Sequence, residues 1–523
     1  MLDRTLQSLE RHESNRSRTA GVWLHANAAR LGALVVLCAI GLIAWSMLIV
    51  PPNMDEFIPY MPIACGVHEN APRELVEWRC GQFPAQTVWH YLYARPYQYV
   101  GMLSSAIYYP VFRAWPSIYS NYLLGLVFAL AFYACLIKLH RLNTSWICAL
   151  LCFFPITFQM IHDTGPVRFS LLAFGCVALL TRRMESAGTA TKFACGALVS
   201  LFIALAIEDK PFFALLLPGL ACYALAFCES SPRTFVARNW PALATSAILL
   251  TLWVSLIVFQ RSGDNLDRFY YQELLVSGRL YDIPHLIGRT GAYLLSPVAY
   301  THRIYLPGSI ALASSAALFV VFFWLPIFAR GLPIRDRRSF MLLLSALLLF
   351  LAFLHNKAVW AGHHFIFMMV PLLSLYLGKL GALRAITLKA GLAAGALSAV
   401  TIVSFSGFQP GNSGNRDEVF DYLSSEAAAT ESVFNFSEWG MYYQQALYGP
   451  SAQVVTMQSI RDRAAATPLI RLATKQGREI LNICAACDLQ TVSRGFGGLP
   501  VEEIKLGGTP WKIFKVSILP SRP

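Results

Sequence analysis

Four short turns in this 523-residue chain gather ionisable side chains: "NMDEF" (Asp55, Glu56), "MIHDTGPVRF" (His162, Asp163, Arg168), "AIEDKPF" (Glu208, Asp209, Lys210) and "HNKAVWAGHHF" (His355, Lys357, His363, His364). Acids and histidines of this kind move protons. Cations beside them hold phosphate and other anions. Each turn also has a plainer reading. Asp55 and Glu56 can mark a wet helix end, and Glu208, Asp209 and Lys210 a local ion pair. Asp163 can cap the helix that follows it, and the paired histidines can pack or touch lipid headgroups. What favours chemistry is that all four turns fall on one side of the same membrane.

The membrane reading comes from composition. The chain is 56% hydrophobic and only 14% charged, against about one-quarter charged for a soluble domain. Windows long enough to cross a ~30 Å hydrocarbon core fall at 31–50, 118–138, 144–161, 166–182, 191–207, 211–228, 240–259, 309–329, 339–355, 364–380 and 388–407. The fold class is therefore a polytopic α-helical membrane protein of about eleven helices. Alternate connections carry "KLHR", "TRR", "SPRTFVAR", "RGLPIRDRR" and "KLGALR", and the arm 1–30 adds Arg11, Arg16, Arg18 and Arg30. By the positive-inside rule these mark the cytoplasmic side, and the four charged turns lie on the other. The net charge of +13 is then largely topogenic. Nothing resembles the clustered basic, aromatic-laced surface that binds nucleic acid.

Three outer segments are long enough to fold. The first, 51–117, is rich in Tyr, Trp and Arg and reads as helices lying at the interface. The second is 260–308. The third, 408–523, alternates strand and helix and reads as a small α/β domain, with strands at 431–437, 452–457, 478–486 and 511–519 and helices at 416–428, 438–449 and 460–476. Eight of the twelve cysteines fall in apolar windows, where a thiol is a small apolar side chain. The other four form two outer pairs, Cys65 with Cys80 and Cys484 with Cys487. An oxidising compartment lets each close as a disulfide. "CAAC" at 484–487 also matches a redox or metal motif, weakly, because it has no second pair and no nearby histidine.

The distribution of charge sorts the function classes. Transporters bury polar groups near the bilayer midplane, in broken helices; here the helix interiors are nearly free of charge. An enzyme acting on a lipid-linked substrate needs ionisable groups at the membrane surface, where the substrate's phosphate sits. The layout resembles the GT-C superfamily of polytopic glycosyltransferases. The shared features are an acidic pair just behind the first membrane helix, a long first outer loop, a helix bundle and an outer C-terminal domain. The branches of similar layout are the protein O-mannosyltransferases, the lipid A aminoarabinose transferases and the arabinofuranosyltransferases.

The resemblance implies inverting transfer of a sugar from a polyprenyl phosphate to a hydroxyl, with Asp55 as general base and Glu56 tuning it or binding sugar. It further implies Lys210, Arg168, Lys357, His363, His364 and Arg279 around the donor phosphate, Arg289 in reserve, and the prenyl tail against 97–115. His162, Asp163, Glu208 and Asp209 would orient the acceptor sugar or hold a metal. No carboxylate constellation demands a divalent ion, and metal use stays an open alternative. The second outer turn reads "HD" where a DxD-type pair would be the fuller match. The competing readings are an O-antigen-ligase-like transferase, a lipid-linked sugar flippase, and an assembly protein whose outer domain recruits a partner. The implied setting is a bacterial inner membrane, with the active site and C-terminal domain periplasmic. Sugar and acceptor (glycan, lipid A, or a protein such as a pilin) are unspecified.

Overall fold

The computed structural model describes residues 30–45, 75, 86–88, 92–94, 101–115, 118–162, 167–261, 283–295, 313, 316–329, 336–353, 365–381, 383–405, 419, 422–423, 425, 432–437, 454–484, 487–506 and 511–518. In lipid the backbone must satisfy its own hydrogen bonds, so long apolar sequence becomes helix. A helical segment occupies each of the eleven windows. The first is α1 (Arg30–Trp45). In the first long loop lie an antiparallel hairpin, β1 (Gln86–Val88) and β2 (Leu92–Ala94), and then α2 (Met102–Ala114). The bundle continues with α3 (Ile118–His140), α4 (Trp146–Leu151), α5 (Phe154–His162), α6 (Arg168–Ser186) and α7 (Thr189–Asp209). A 3₁₀ turn at Pro211–Leu216 leads into α8 (Leu217–Leu225), followed by α9 (Pro232–Arg261) and α10 (Ile283–Leu295). The last four are α11 (Ala316–Phe328), α12 (Arg337–Phe353), α13 (Ile366–Gly378) and α14 (Ala385–Phe405).

Among the described residues, Tyr119–His140, Thr189–Asp209 and Pro232–Leu256 are long and apolar enough to cross a membrane by length and composition. Shorter apolar helices fill the remaining windows, and prolines explain several of the breaks. The third window is split into α4 and α5 just before Pro155, which sits in the first turn of α5, where its missing N–H costs no bond. Pro211 ends α7 in the same way: the residue before a proline avoids helical geometry, and Lys210 is extended at φ −141°, ψ 98°.

Basic residues gather at one end of the bundle, where they cap helices. Arg182 donates to the carbonyls of Lys138 (3.2 Å) and Leu139 (2.8 Å) at the end of α3. Arg337 donates to Leu225 (3.2 Å) at the end of α8 and to Glu229 (3.1 Å). Terminal carbonyls that would otherwise lack donors are thus satisfied by arginines of the basic connections. At the opposite end, both long loops dock on the bundle. α2 buries Ser104, Ser105, Ala106, Tyr108 and Phe112 and exposes Arg113 and Trp115, the one-sided pattern of an interfacial helix. α10 buries Tyr293 against Phe365 (ring centroids 5.4 Å) and accepts at Leu294 O from Trp324 Nε1 (2.9 Å).

After α14 comes the α/β unit: β3 (Val433–Phe436), β4 (Val454–Met457), α15 (Arg463–Gln476), β5 (Ile480–Cys484), α16 (Leu489–Gly495), β6 (Val501–Ile504) and β7 (Lys512–Val516). The sheet order is β4-β3-β5-β7-β6, with β3 parallel to β4 and β5, and β7 antiparallel to β5 and β6. Local chemistry fixes α15: Asp462 caps its start through Ala465 N (2.9 Å), and left-handed Gly477 (φ 65°) closes it, as N-cap and C-cap preferences require. A buried polar row crosses the parallel strands. Asn435 Nδ2 donates to Asn482 Oδ1 (2.7 Å), and Asn435 Oδ1 accepts from Thr456 Oγ1 (2.9 Å) and Gln458 N (3.0 Å). Thr456 and Asn482 stand opposite Asn435 in register, so a one-residue slip would break both side-chain bonds.

The four expected strands are present, as is the helix at 460–476, and helical turns appear at Val419, Tyr422–Leu423 and Ser425. α16 and β6 are additional to those expectations, and the expected helix at 438–449 lies outside the described residues. Cys484 and Cys487 form a disulfide; Cys65 and Cys80 lie outside the described residues. The edge strand β4 also reaches the first long loop, where Met457 N donates to Leu75 O (2.8 Å).

Candidate active site

Two of the charged turns meet on α2. At the end of α7 the Glu208 carboxylate receives the amides of Met102 (2.7 Å) and Leu103 (3.1 Å). These are first-turn donors of α2 that have no partner inside their own helix, and the positive end of the helix dipole favours the acid there. Alongside, Gly101 N donates to Asp209 O (3.0 Å). The approach is so close that a Cβ on Gly101 would coincide with the Glu208 carbonyl oxygen. Only glycine fits.

Six residues farther along α2, Tyr108 lies under the Arg168 guanidinium, whose carbon is 5.0 Å from the ring centroid. That spacing corresponds to about 9 Å of helix at 1.5 Å per residue, so α2 bridges the acidic turn and the arginine. Arg168 opens α6 and is fully buried. Its Nε donates to Met160 O (2.6 Å), Nη1 to Asn121 Oδ1 (2.7 Å), and Nη2 to Asn121 O (3.0 Å) and Ile161 O (2.6 Å). It thereby ties the last turn of α5 to the first turn of α3. The two helices touch at Gly125, where a Cβ would strike Met160 O and Arg168.

His162, at the end of α5, is sandwiched: stacked on Phe158 at 3.9 Å between centroids and tilted against Tyr122 at 4.6 Å. Asp209 and Lys210 are buried beside Glu208. The same end of the bundle buries Ser104, Ser105, Ser120, Asn121, Gln159 and Ser170. Sequence reasoning passed over these six, because a lone Ser or Asn at a helix start reads as a cap. In sequence only Gln159 and Ser170 fall within a turn of a charged motif; Ser104, Ser105, Ser120 and Asn121 are brought there by the packing of α2 and α3.

The structure therefore brings His162, Arg168, Glu208, Asp209 and Lys210 to the ends of α5, α6 and α7, around α2 and α3. Asp55, Glu56, Asp163, Arg279, Lys357, His363 and His364 lie outside the described residues, as does the side chain of Arg289. Among the described residues there is no group of three or more His, Cys, Asp or Glu that could hold a metal ion. The site that is described is a buried polar layer at the end of an apolar bundle, suited to a substrate whose polar head enters from the membrane surface.

No protein-family model and no curated protein matches the sequence. At the level of structure, the chain is similar to ArnT from Cupriavidus metallidurans in its apo state, with a TM-score of 0.53 and 12% identity over 93% of this chain and 98% of that one. It is similar also to the crystal structure of ArnT bound to undecaprenyl phosphate, with a TM-score of 0.51 and 11% identity over 93% and 97% of the two chains. The chain has the fold of ArnT. The similarity covers 93% of the chain, in keeping with the helix bundle and C-terminal sheet expected from the sequence. At this identity the likeness concerns fold, and it leaves the site to be argued from its own residues.

Proposed function

We propose that this protein is an inverting glycosyltransferase that moves a sugar from a polyprenyl-phosphate carrier to a hydroxyl of an extracytoplasmic acceptor. The observation that carries the reading is a coincidence. The buried polar layer lies at a membrane end of the same fold that, in ArnT, has been crystallised with undecaprenyl phosphate. The acceptor hydroxyl attacks the anomeric carbon as the bond from that carbon to the phosphate oxygen breaks. Asp55 takes the hydroxyl proton, which supplies the base such a displacement needs, and Glu56 supports it through proximity or a sugar hydroxyl. The leaving polyprenyl phosphate gains negative charge, and Lys210, with Lys357, His363, His364 and Arg279, stabilises it.

Two sequence expectations take a different form in this proposal. Arg168 spends its donors on four protein acceptors, which supports a clamp shaping the site wall over a phosphate ligand. His162 lies between two rings, which supports packing beside the site. Asp209 and Asp163 are retained as acids near the acceptor. The setting proposed is a bacterial inner membrane, with site and outer domain on the periplasmic face. The sugar is a pentose such as arabinofuranose, a hexose or an aminosugar, and the acceptor a glycan, lipid A or a secreted protein.

The test is reconstitution with polyprenyl-phosphate sugars, comparing wild type with Asp55→Asn. The expected loss is about 100-fold or more, the usual size for removing a general base. Undiminished transfer by the variant removes Asp55 as base. Turnover only with diphosphate-linked oligosaccharides favours the ligase-like reading, and lipid translocation without transfer favours a flippase.

A further inference from the structure

We infer that Glu208 is a positioning residue: with Gly101 it forms a latch that docks the outer-loop helix α2 on the bundle and so sets the wall of the site. The inference rests on the proposed transferase only for its activity arm.

Three observations converge on the latch. The carboxylate of Glu208 holds two consecutive amides at the α2 start, at 2.7 and 3.1 Å. The neighbouring carbonyl of Asp209 holds a third, from Gly101, at 3.0 Å. The Cα of Gly101 lies so close to the Glu208 backbone that no larger residue fits. Both oxygens of this carboxylate hold a helix start, a structural duty beside the acceptor role that the resemblance implied.

The consequence runs along α2. The latch fixes the helix axially, and Tyr108, buried against the pair Phe128 (6.4 Å) and Phe169 (6.5 Å), then sits against Arg168. Arg168 in turn joins α3 to the end of α5. Two charged turns far apart in sequence thus share one mechanical link, and a shift of α2 by a fraction of a turn would move both. Displacements of about 1 Å at such distances are enough to cost two orders of magnitude in rate.

The experiment uses the full chain in nanodiscs, with Glu208→Ala, Glu208→Gln and Gly101→Ala. The first readout is hydrogen exchange of the Met102 and Leu103 amides, with the amides of α3 as a control for the intact bundle. Glu208→Ala should speed exchange by about tenfold or more, the factor for losing a charge-assisted bond. Glu208→Gln, which keeps an acceptor oxygen, should fall between. Gly101→Ala, which removes no functional group, should match Glu208→Ala. The second readout is sugar transfer: kcat should fall in the same order, with KM changing less. Unchanged exchange in Glu208→Ala overturns the latch. Faster exchange with unaltered transfer overturns its role in positioning the site. Equal loss in Glu208→Gln and Glu208→Ala, with Gly101→Ala active, returns Glu208 to a direct chemical role. If the wild type transfers no sugar at all, the proposed function fails while the exchange arm still decides the latch.

Discussion

Arg168 illustrates how a charge inside a membrane protein is made tolerable. A buried guanidinium is stable only when its donors are matched and its charge is shared. Here carbonyl oxygens, an amide oxygen and the face of Tyr108 do both. The planar fork is essential, because a lysine ammonium is a single point of charge and cannot span acceptors on two helices. Arg168→Lys should therefore leave at least two of the four bonds unmade, at about 1.5–3 kcal/mol each. The check is thermal unfolding in detergent, where this variant should melt well below the wild type. An Arg168→Lys protein of unaltered stability that has lost donor binding would instead make Arg168 a phosphate ligand.

At the scale of elements, boundaries are set by few residues, and the window 144–161 was read without its break. Pro155 and Pro211 interrupt apolar runs, and Asp462 and Gly477 bracket α15. The helix windows and main strands could be read because each has a long enough period or run. α16 could not, since seven residues complete under two turns. β6, "VEEI", carries acids in mid-strand that only its partner explains: Lys512 pairs with Glu503 at 3.5 Å. In the site, sequence identified charged turns but not Asn121, the neutral partner of Arg168, nor that Glu208 would serve as a cap, because both depend on which helices become neighbours. The cap of α16 yields a pH prediction. Asp488 accepts from Thr491 N (2.7 Å) and Thr491 Oγ1 (2.9 Å), and those bonds hold its carboxyl below the usual carboxylate range. A depressed folded value means stability that is present above the unfolded pKa of about 3.9 and is lost as pH falls through the folded value. Unfolding of the outer domain, followed from about pH 6 to about pH 3, should show that acid loss. Asp488→Asn, which caps without titrating, should flatten it.

For the whole molecule, the question is how an apolar bundle and a water-facing α/β unit act as one. The bundle is polarised, with helix-capping arginines at one end and a buried polar layer at the other. The α/β unit has its own polar lock across β3, β4 and β5, while its buried apolar residues run on into those of the bundle. Two described points tie the first long loop to these bodies: the Glu208 latch on the bundle side and, on the other, Met457 N to Leu75 O across the sheet edge. Leu75 itself is fully buried, so the second tie combines a backbone bond with apolar contact. Edge strands offer unpaired backbone groups to any neighbouring chain, and here a loop of the same protein takes one of them. On the proposed function the acidic pair that begins this loop does the chemistry, and the α/β unit that holds the loop would then have a task within the site. Met457→Pro tests the idea, because proline is tolerated on an edge strand and removes only the donor. The strand should stay paired while the tie, worth about 1 kcal/mol, is lost. Tryptic cleavage after Arg73 or Arg79 in the intact protein should then quicken by roughly fivefold, with sugar transfer falling alongside it. Cleavage at the wild-type rate would mean that the loop is held by the bundle alone.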